Sequence, residues 1–131
     1  MKKDSLVVRE ELLRQVKRVV VKIGSNVLTA GSDVLHKEVF RNIAKNISSI
    51  KKDGYEAIIV SSGAVAAGRK SLTCIEHPVS IPQKQASAAF GQVRLMRLYE
   101  DCFNAHGDHT AQVLLTHVAL SDRKKFLNAR N

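Results

Sequence analysis

Two short stretches combine residue types that can handle an anion. Lys22-Ile23-Gly24-Ser25-Asn26 sets a cation, a residue without a side chain, a hydroxyl and a carboxamide side by side. Gly24 permits a close approach that a side chain would block, so the amides of the loop can point at a phosphate while Lys22 adds positive charge. Ser62-Gly63-Ala64 offers a hydroxyl, a flexible backbone and exposed amides at the start of a helical pattern. Such a turn can hold a carboxylate by hydrogen bonds and the helix dipole. Taken singly, each has a plainer explanation: Lys22 as an edge lysine snorkelling from a strand, Ser62 as an ordinary N-cap.

Other chemistries find less support. The chain has no G-x-x-x-x-G-K-[ST], and Gly24 does not open a G-x-G-x-x-G, so neither a P-loop nor a dinucleotide fingerprint is present. His106 and His109 flank Gly107-Asp108 at a helix end, where a solvated turn is the simpler reading than a metal pair; no metal ligands are assigned. Cys74 and Cys102 lack C-x-x-C spacing and a secretory context and are read as reduced. Asn46-Ile47-Ser48 matches a glycosylation acceptor but falls on a helical pattern, and chance explains it. Arg123-Lys124-Lys125 reads as a solvated charged face.

The elements that must position these residues follow from periodicity. Arg18 to Ile23 is a β-branched run of strand length, with Gly24-Ser25-Asn26 as the loop after it. From His36 to Lys52, Val39, Phe40, Ile43, Ile47 and Ile50 recur at the helical period, and Asp53-Gly54 closes the pattern. Glu56 to Ser61 reads as a second strand leading through Ser62-Gly63 into the small residues Ala64 to Gly68. A turn-rich passage, Ser71 to Ile81, precedes the longest helix, Gln83 to His106. Gln112 to Thr116 is expected as a third strand, followed by a charged stretch. Residues 1–17 form a charged leader of loose periodicity, and 18–131 form the body. Strands alternating with helices predict an α/β fold, an open and mostly parallel sheet with helices on both faces. Ligands then belong outside the carboxyl ends of the strands, where both anion-handling stretches lie.

Composition narrows the class. With 131 residues and 44% apolar content the chain suits one globular domain. Its apolar runs, Val19 to Val21 and Ala57 to Val60, are strand-sized and far below the roughly 20 residues of a membrane span. Charged residues follow the start where a secretory signal needs an apolar run, so a cytoplasmic protein is expected. Lys and Arg outnumber Asp and Glu by 21 to 12, for a net charge of +9, which favours anionic partners. Nucleic acid is disfavoured among them, because the basic residues are scattered and aromatics are only 5%, too few for stacking platforms.

Read together and in order, Val19 to Leu28 (VVVKIGSNVL), Ser61 to Arg69 (SSGAVAAGR), Gln85-Ala86 with Gly91-Gln92, and Phe126 to Asn131 (FLNARN) closely resemble the glutamate 5-kinase branch of the amino-acid kinase family. The first block is shared across amino-acid kinases; the other three together mark the glutamate branch. The resemblance runs from about Arg18 onward and implies the amino-acid kinase, carbamate kinase-like fold, here as its amino-terminal half. It also implies ATP-dependent phosphorylation of the L-glutamate side-chain carboxylate to glutamyl 5-phosphate, the first step of proline biosynthesis.

By that resemblance Lys22 is catalytic and touches the transferred phosphoryl group, with Gly24, Ser25 and Asn26 in the phosphate loop. Ser62, Gly63 and Ala64 bind glutamate, ATP and Mg²⁺ are the cofactors, proline is an expected inhibitor, and the full-length protein is expected to be a homo-oligomer. The family's remaining glutamate loop and nucleotide-binding half have no counterpart up to Asn131. The polypeptide by itself is therefore expected to be an inactive fragment with an exposed strand edge. Three alternatives are carried: another amino-acid kinase, including the kinase part of a pyrroline-5-carboxylate synthase; a non-catalytic glutamate- or proline-binding remnant; and a subunit that pairs with a kinase. Whether an RNA-binding-like domain follows is left open.

Overall fold

The computed structural model describes residues 10–12, 15–32, 34–69 and 80–131. Most of the leader, Cys74 and most of the turn-rich passage therefore lie outside the described residues. Strand β1, Arg18–Ile23, is followed by a short helix α1, Ser25–Leu28, and by α2, Lys37–Lys52. Strand β2, Glu56–Ser61, leads into α3, Ala64–Arg69; the long α4, Ile81–Asn104, and the small helices α5, His117–Ser121, and α6, Arg123–Arg130, complete the order.

The two strands pair in parallel, from Arg18 opposite Glu56 to Ile23 opposite Ser61. Parallel pairing needs a crossover, which α1 and α2 provide. The expected α/β fold with an open parallel sheet is thus present. Strand alternation gives Val19, Val21, Ile23, Ala57 and Ile59 to the inner face, where they are half-buried or buried. Against them pack Phe40, Ala44 and Ile47 of α2 and Leu95, Tyr99, Cys102 and Phe103 of α4. Phe40 is fully buried and meets the Tyr99 ring edge-on, with centroids 4.8 Å apart. Burial pushes the Cys102 thiol above its ordinary pKa. The opposite sheet face carries Val20, Ile58 and Val60 at 45–60% exposure, so the described residues contribute helices to one face of the sheet.

Local signals explain the helix limits. α2 carries Glu38 in its first turn and Lys51 and Lys52 in its last, complementing the helix dipole. It ends in a Schellman motif: Tyr55 N–H donates to Ile50 O at 3.2 Å and Gly54 N–H to Lys51 O at 3.0 Å. Gly54 supplies the positive φ of +90° that this motif requires. α4 starts two residues before the expected Gln83. Ser80 and Gln83 form a capping box, and Pro82 is tolerated in the first turn, where its missing N–H would have no helical partner.

The expected third strand is not formed. Residues 112–116 have no strand partner among the described residues, and Val113 and Leu114 are more than two-thirds exposed. Thr116 instead caps α5 by accepting from Ala119 N–H at 3.1 Å. A β-rich run becomes a strand only when another strand completes its ladder, which composition cannot supply. The charged stretch after it folds as α6, capped by Asp122, which accepts from Lys125 N–H at 3.0 Å.

Where the chain leaves α4, Asp108 ties it back to α2. Its carboxylate accepts from Ser48 Oγ at 2.5 Å and pairs with Lys51. The Lys51 ammonium, then the Ser48 hydroxyl, hold the Asp108 carboxyl below the usual range. A carboxyl whose pKa is depressed by folding contributes stability that is fully present above its unfolded value, about 3.9. That contribution is lost as pH falls through the lower folded value. Asp108→Asn should therefore cost about 1 kcal/mol at neutral pH and flatten this part of the acid limb. Urea unfolding followed from pH 6 down to about pH 2 checks both effects.

Candidate functional site

Both loops expected to handle anions meet at the carboxyl ends of β1 and β2. Ser62 hangs from the last residue of β1: its N–H donates to Ile23 O at 3.1 Å and its hydroxyl to the same oxygen at 3.3 Å. The result is a cleft of about 530 Å³ lined on one side by Ser25, Asn26 and Thr29 and on the other by Ser61 to Ala66. Arg69, Gln92 and Leu95 close it.

The residues on the β1 side are set by α1. Gly24 is its N-cap, with extended backbone at φ −77° and ψ 157°. A β-carbon there would meet nothing within 4 Å, so the glycine serves neither a left-handed turn nor tight packing; it leaves open space beside Ser25. The amides of Ser25 and Asn26, the first two of the helix, have no acceptor among the described residues.

On the β2 side, Gly63 has φ +112°, a conformation that L side chains rarely adopt. A β-carbon at this position would sit 3.1 Å from Leu28 Cδ1. Gly63→Ala should cost roughly 1–3 kcal/mol in backbone strain and displace the Ser62 loop. A lowered thermal midpoint together with weakened ligand binding is the expected result, measured by calorimetric melting and titration.

Ser62 in this arrangement already uses its proton on Ile23 O, so its free lone pairs can accept from an ammonium group. Donating to a carboxylate requires the hydroxyl to rotate away from Ile23. Next to it, Ser61 Oγ lies 2.8 Å from Tyr99 Oη. Burial pushes the Tyr99 phenol up and keeps it protonated, while its hydrogen bond with Ser61 acts in the opposite direction.

Of the residues singled out from the sequence, Ser25, Asn26, Ser62, Gly63 and Ala64 line the one cleft. Lys22 and Gly24 do not. Alternation along β1 turns Lys22 away from the buried Ile23 and onto the open sheet face, exposed, opposite Val60 in the register. Arg69 and Gln92 were missed as lining residues. For Arg69 a signal was available, since it is the one charged residue in the Ser61 to Arg69 run. For Gln92 the signal was its place in the Gly91-Gln92 pair that carries the resemblance, although only the crossing of α4 over α3 brings it to the cleft.

That crossing depends on two glycines. A β-carbon on Gly68 would overlap the backbone carbonyl of Ser87, and one on Gly91 would overlap that of Ala64. The helices therefore touch backbone to backbone, which fixes α3 and the Ser62-Gly63 turn that precedes it.

Among the described residues no helix is long and apolar enough to cross a membrane. Residues 17–131 match the amino acid kinase family. Over 122 residues the chain is 52% identical to the glutamate 5-kinase of Pelobacter propionicus, an alignment covering 93% of this chain and 33% of that protein. The glutamate 5-kinase of Geobacter sulfurreducens gives the same identity and coverage, and that of Syntrophotalea carbinolica is 47% identical over 123 residues. The chain spans about a third of the length of these curated relatives. With a family match over nearly its whole length and an α/β frame that gathers the shared loops around one cleft, the chain belongs to the amino acid kinase family.

Proposed function

We propose that residues 18–131 supply the acceptor-binding and phosphoryl-facing part of a glutamate 5-kinase, which transfers a phosphoryl group from ATP to the side-chain carboxylate of L-glutamate. The observation that carries this reading is the shared cleft: the Ser25-Asn26 loop and the Ser62 to Ala64 loop face one volume at the ends of two parallel strands. Arg69 adds a cation to its wall, suited to an anionic amino acid.

Moving a phosphoryl group between two anions demands positioning and charge neutralisation more than covalent catalysis. In this reading Ser62, Gly63 and Ala64 hold glutamate so that its carboxylate oxygen, itself the nucleophile, faces the donor. The amides of Ser25 and Asn26, without an acceptor among the described residues, meet phosphate oxygens, with Gly24 leaving room for them. Lys22 reaches over the strand end to the transferred group. ATP supplies the phosphoryl group, and Mg²⁺ bound with it neutralises charge. The described lining includes Ser25 and Asn26 but no carboxylate, so these residues fit a metal carried on the nucleotide's phosphates rather than one caged by the protein. The acyl phosphate product, glutamyl 5-phosphate, lies on the route to proline, and a cytoplasmic setting, inhibition by proline and homo-oligomerisation belong to the same reading.

Calorimetric titration with L-glutamate, with L-aspartate and N-acetylglutamate in parallel, tests the substrate. Saturable binding of L-glutamate that Ser62→Ala abolishes is the expected result. Preference for either of the others would move the chain to a different amino-acid kinase activity. Hydroxylamine trapping in a full-length protein containing this segment, in the presence of ATP and Mg²⁺, tests the chemistry: a hydroxamate that forms without added glutamate would overturn the assignment.

A further inference from the structure

Tyr99 lies on α4, outside both loops, yet its hydroxyl is 2.8 Å from Ser61 Oγ. Ser61 Oγ in turn donates to Ser62 O at 3.1 Å. Either hydroxyl can donate across the 2.8 Å contact; with the single Ser61 proton on the Ser62 carbonyl, Tyr99 is the donor. The phenol is only 4% exposed, and its ring is wedged edge-on against the fully buried Phe40. It is a rigid donor rooted in the core and aimed at the strand end.

The consequence reaches the cleft through peptide geometry. In a trans peptide the carbonyl and the next N–H point to opposite sides, so holding Ser62 O also orients Gly63 N–H. That amide has no acceptor among the described residues, and both Ser62 and Gly63 line the cleft. Gly63, at φ +112°, cannot hold the plane by backbone preference alone, because glycine has many accessible conformations. An external tether is what selects one.

We propose that Tyr99 is a positioning residue for the substrate loop, its buried hydroxyl setting the Ser62–Gly63 peptide through Ser61. This inference rests on the reading of Ser62 to Ala64 as the glutamate loop. Tyr99→Phe removes one oxygen and keeps the ring, so the packing on Phe40 is retained. Ser61→Ala removes the middle of the relay at an exposed position.

The test combines L-glutamate titration with hydrogen exchange of the Gly63 amide in the full chain. Tyr99→Phe should weaken glutamate binding about 2- to 10-fold, the range of one neutral hydrogen bond. Ser61→Ala should do the same, and the double variant should lose little more, because both changes cut one relay. Gly63 amide exchange should speed up in each. A lowered melting temperature with unchanged glutamate affinity and unchanged Gly63 exchange would mean a purely structural tyrosine and overturn the inference. If Tyr99→Phe does not fold, Ser61→Ala decides by the same two readouts. If the wild-type chain itself does not bind glutamate, the functional reading fails. Gly63 exchange then decides the tether alone: faster exchange in the variants upholds it, and no change overturns it.

Discussion

Gly91→Ala should lower the unfolding free energy by about 3 kcal/mol or more, and with it abolish binding in the cleft. The added methyl would overlap the carbonyl of Ala64, which is backbone and cannot swing aside as a long side chain would. α3 and α4 must separate, and α3 carries the Ser62-Gly63 turn at its start. Gly24→Ala is the matched control. Its β-carbon meets nothing within 4 Å and its φ of −77° suits any residue; the smaller unfolded-state entropy and the poorer N-cap oppose each other, so stability should change by less than about 1 kcal/mol. The same methyl protrudes into the space left beside Ser25, so nucleotide affinity should fall while stability hardly changes. Urea melts of the two variants, run beside nucleotide titration, check the contrast. Equal stability of Gly91→Ala and wild type would mean that α3 and α4 do not cross as closely as described.

On the proposed reading, Lys22→Ala in a full-length protein containing this segment should reduce glutamate-dependent phosphoryl transfer by about 100-fold or more, the scale of removing one preorganised charge from a transition state. The thermal midpoint should hardly move. Lys22 is exposed on the open sheet face, and no ion pair involves it among the described residues. L-Glutamate affinity should also be preserved, because Lys22 does not line the cleft. Hydroxamate formation, melting and titration on the same preparation separate the three. Lys22→Arg, which keeps the charge on a planar and bulkier group, should recover only part of the rate. Loss of glutamate binding in Lys22→Ala would instead place the lysine on the acceptor and not on the transferred group.

The strand after residue 17, the helix ending at Asp53-Gly54 and the second strand were legible because each rests on local physics. β-branched runs, a 3.6-residue period and a glycine C-cap act over a few residues whatever surrounds them. The loops at Gly24 to Asn26 and Ser62 to Ala64 were legible too, since a parallel pair of strands necessarily brings its carboxyl ends together. Val113 to Leu115 has the same local character as the real strands and still forms none, because a ladder needs a partner from elsewhere in the chain.

The sequence by itself determined the two strands, the two long helices, the α/β class and the two loops at the strand ends. Only the tertiary structure decided which side chains those loops would share. It turned Lys22 to the open face, brought Gln92 to the cleft across the Gly68–Gly91 crossing, and set Tyr99 of α4 against Ser61. Periodicity is a property of neighbours along the chain, whereas these placements depend on residues 20 to 40 positions apart packing against each other. That packing is settled by the excluded volume and hydrogen bonds of the folded core.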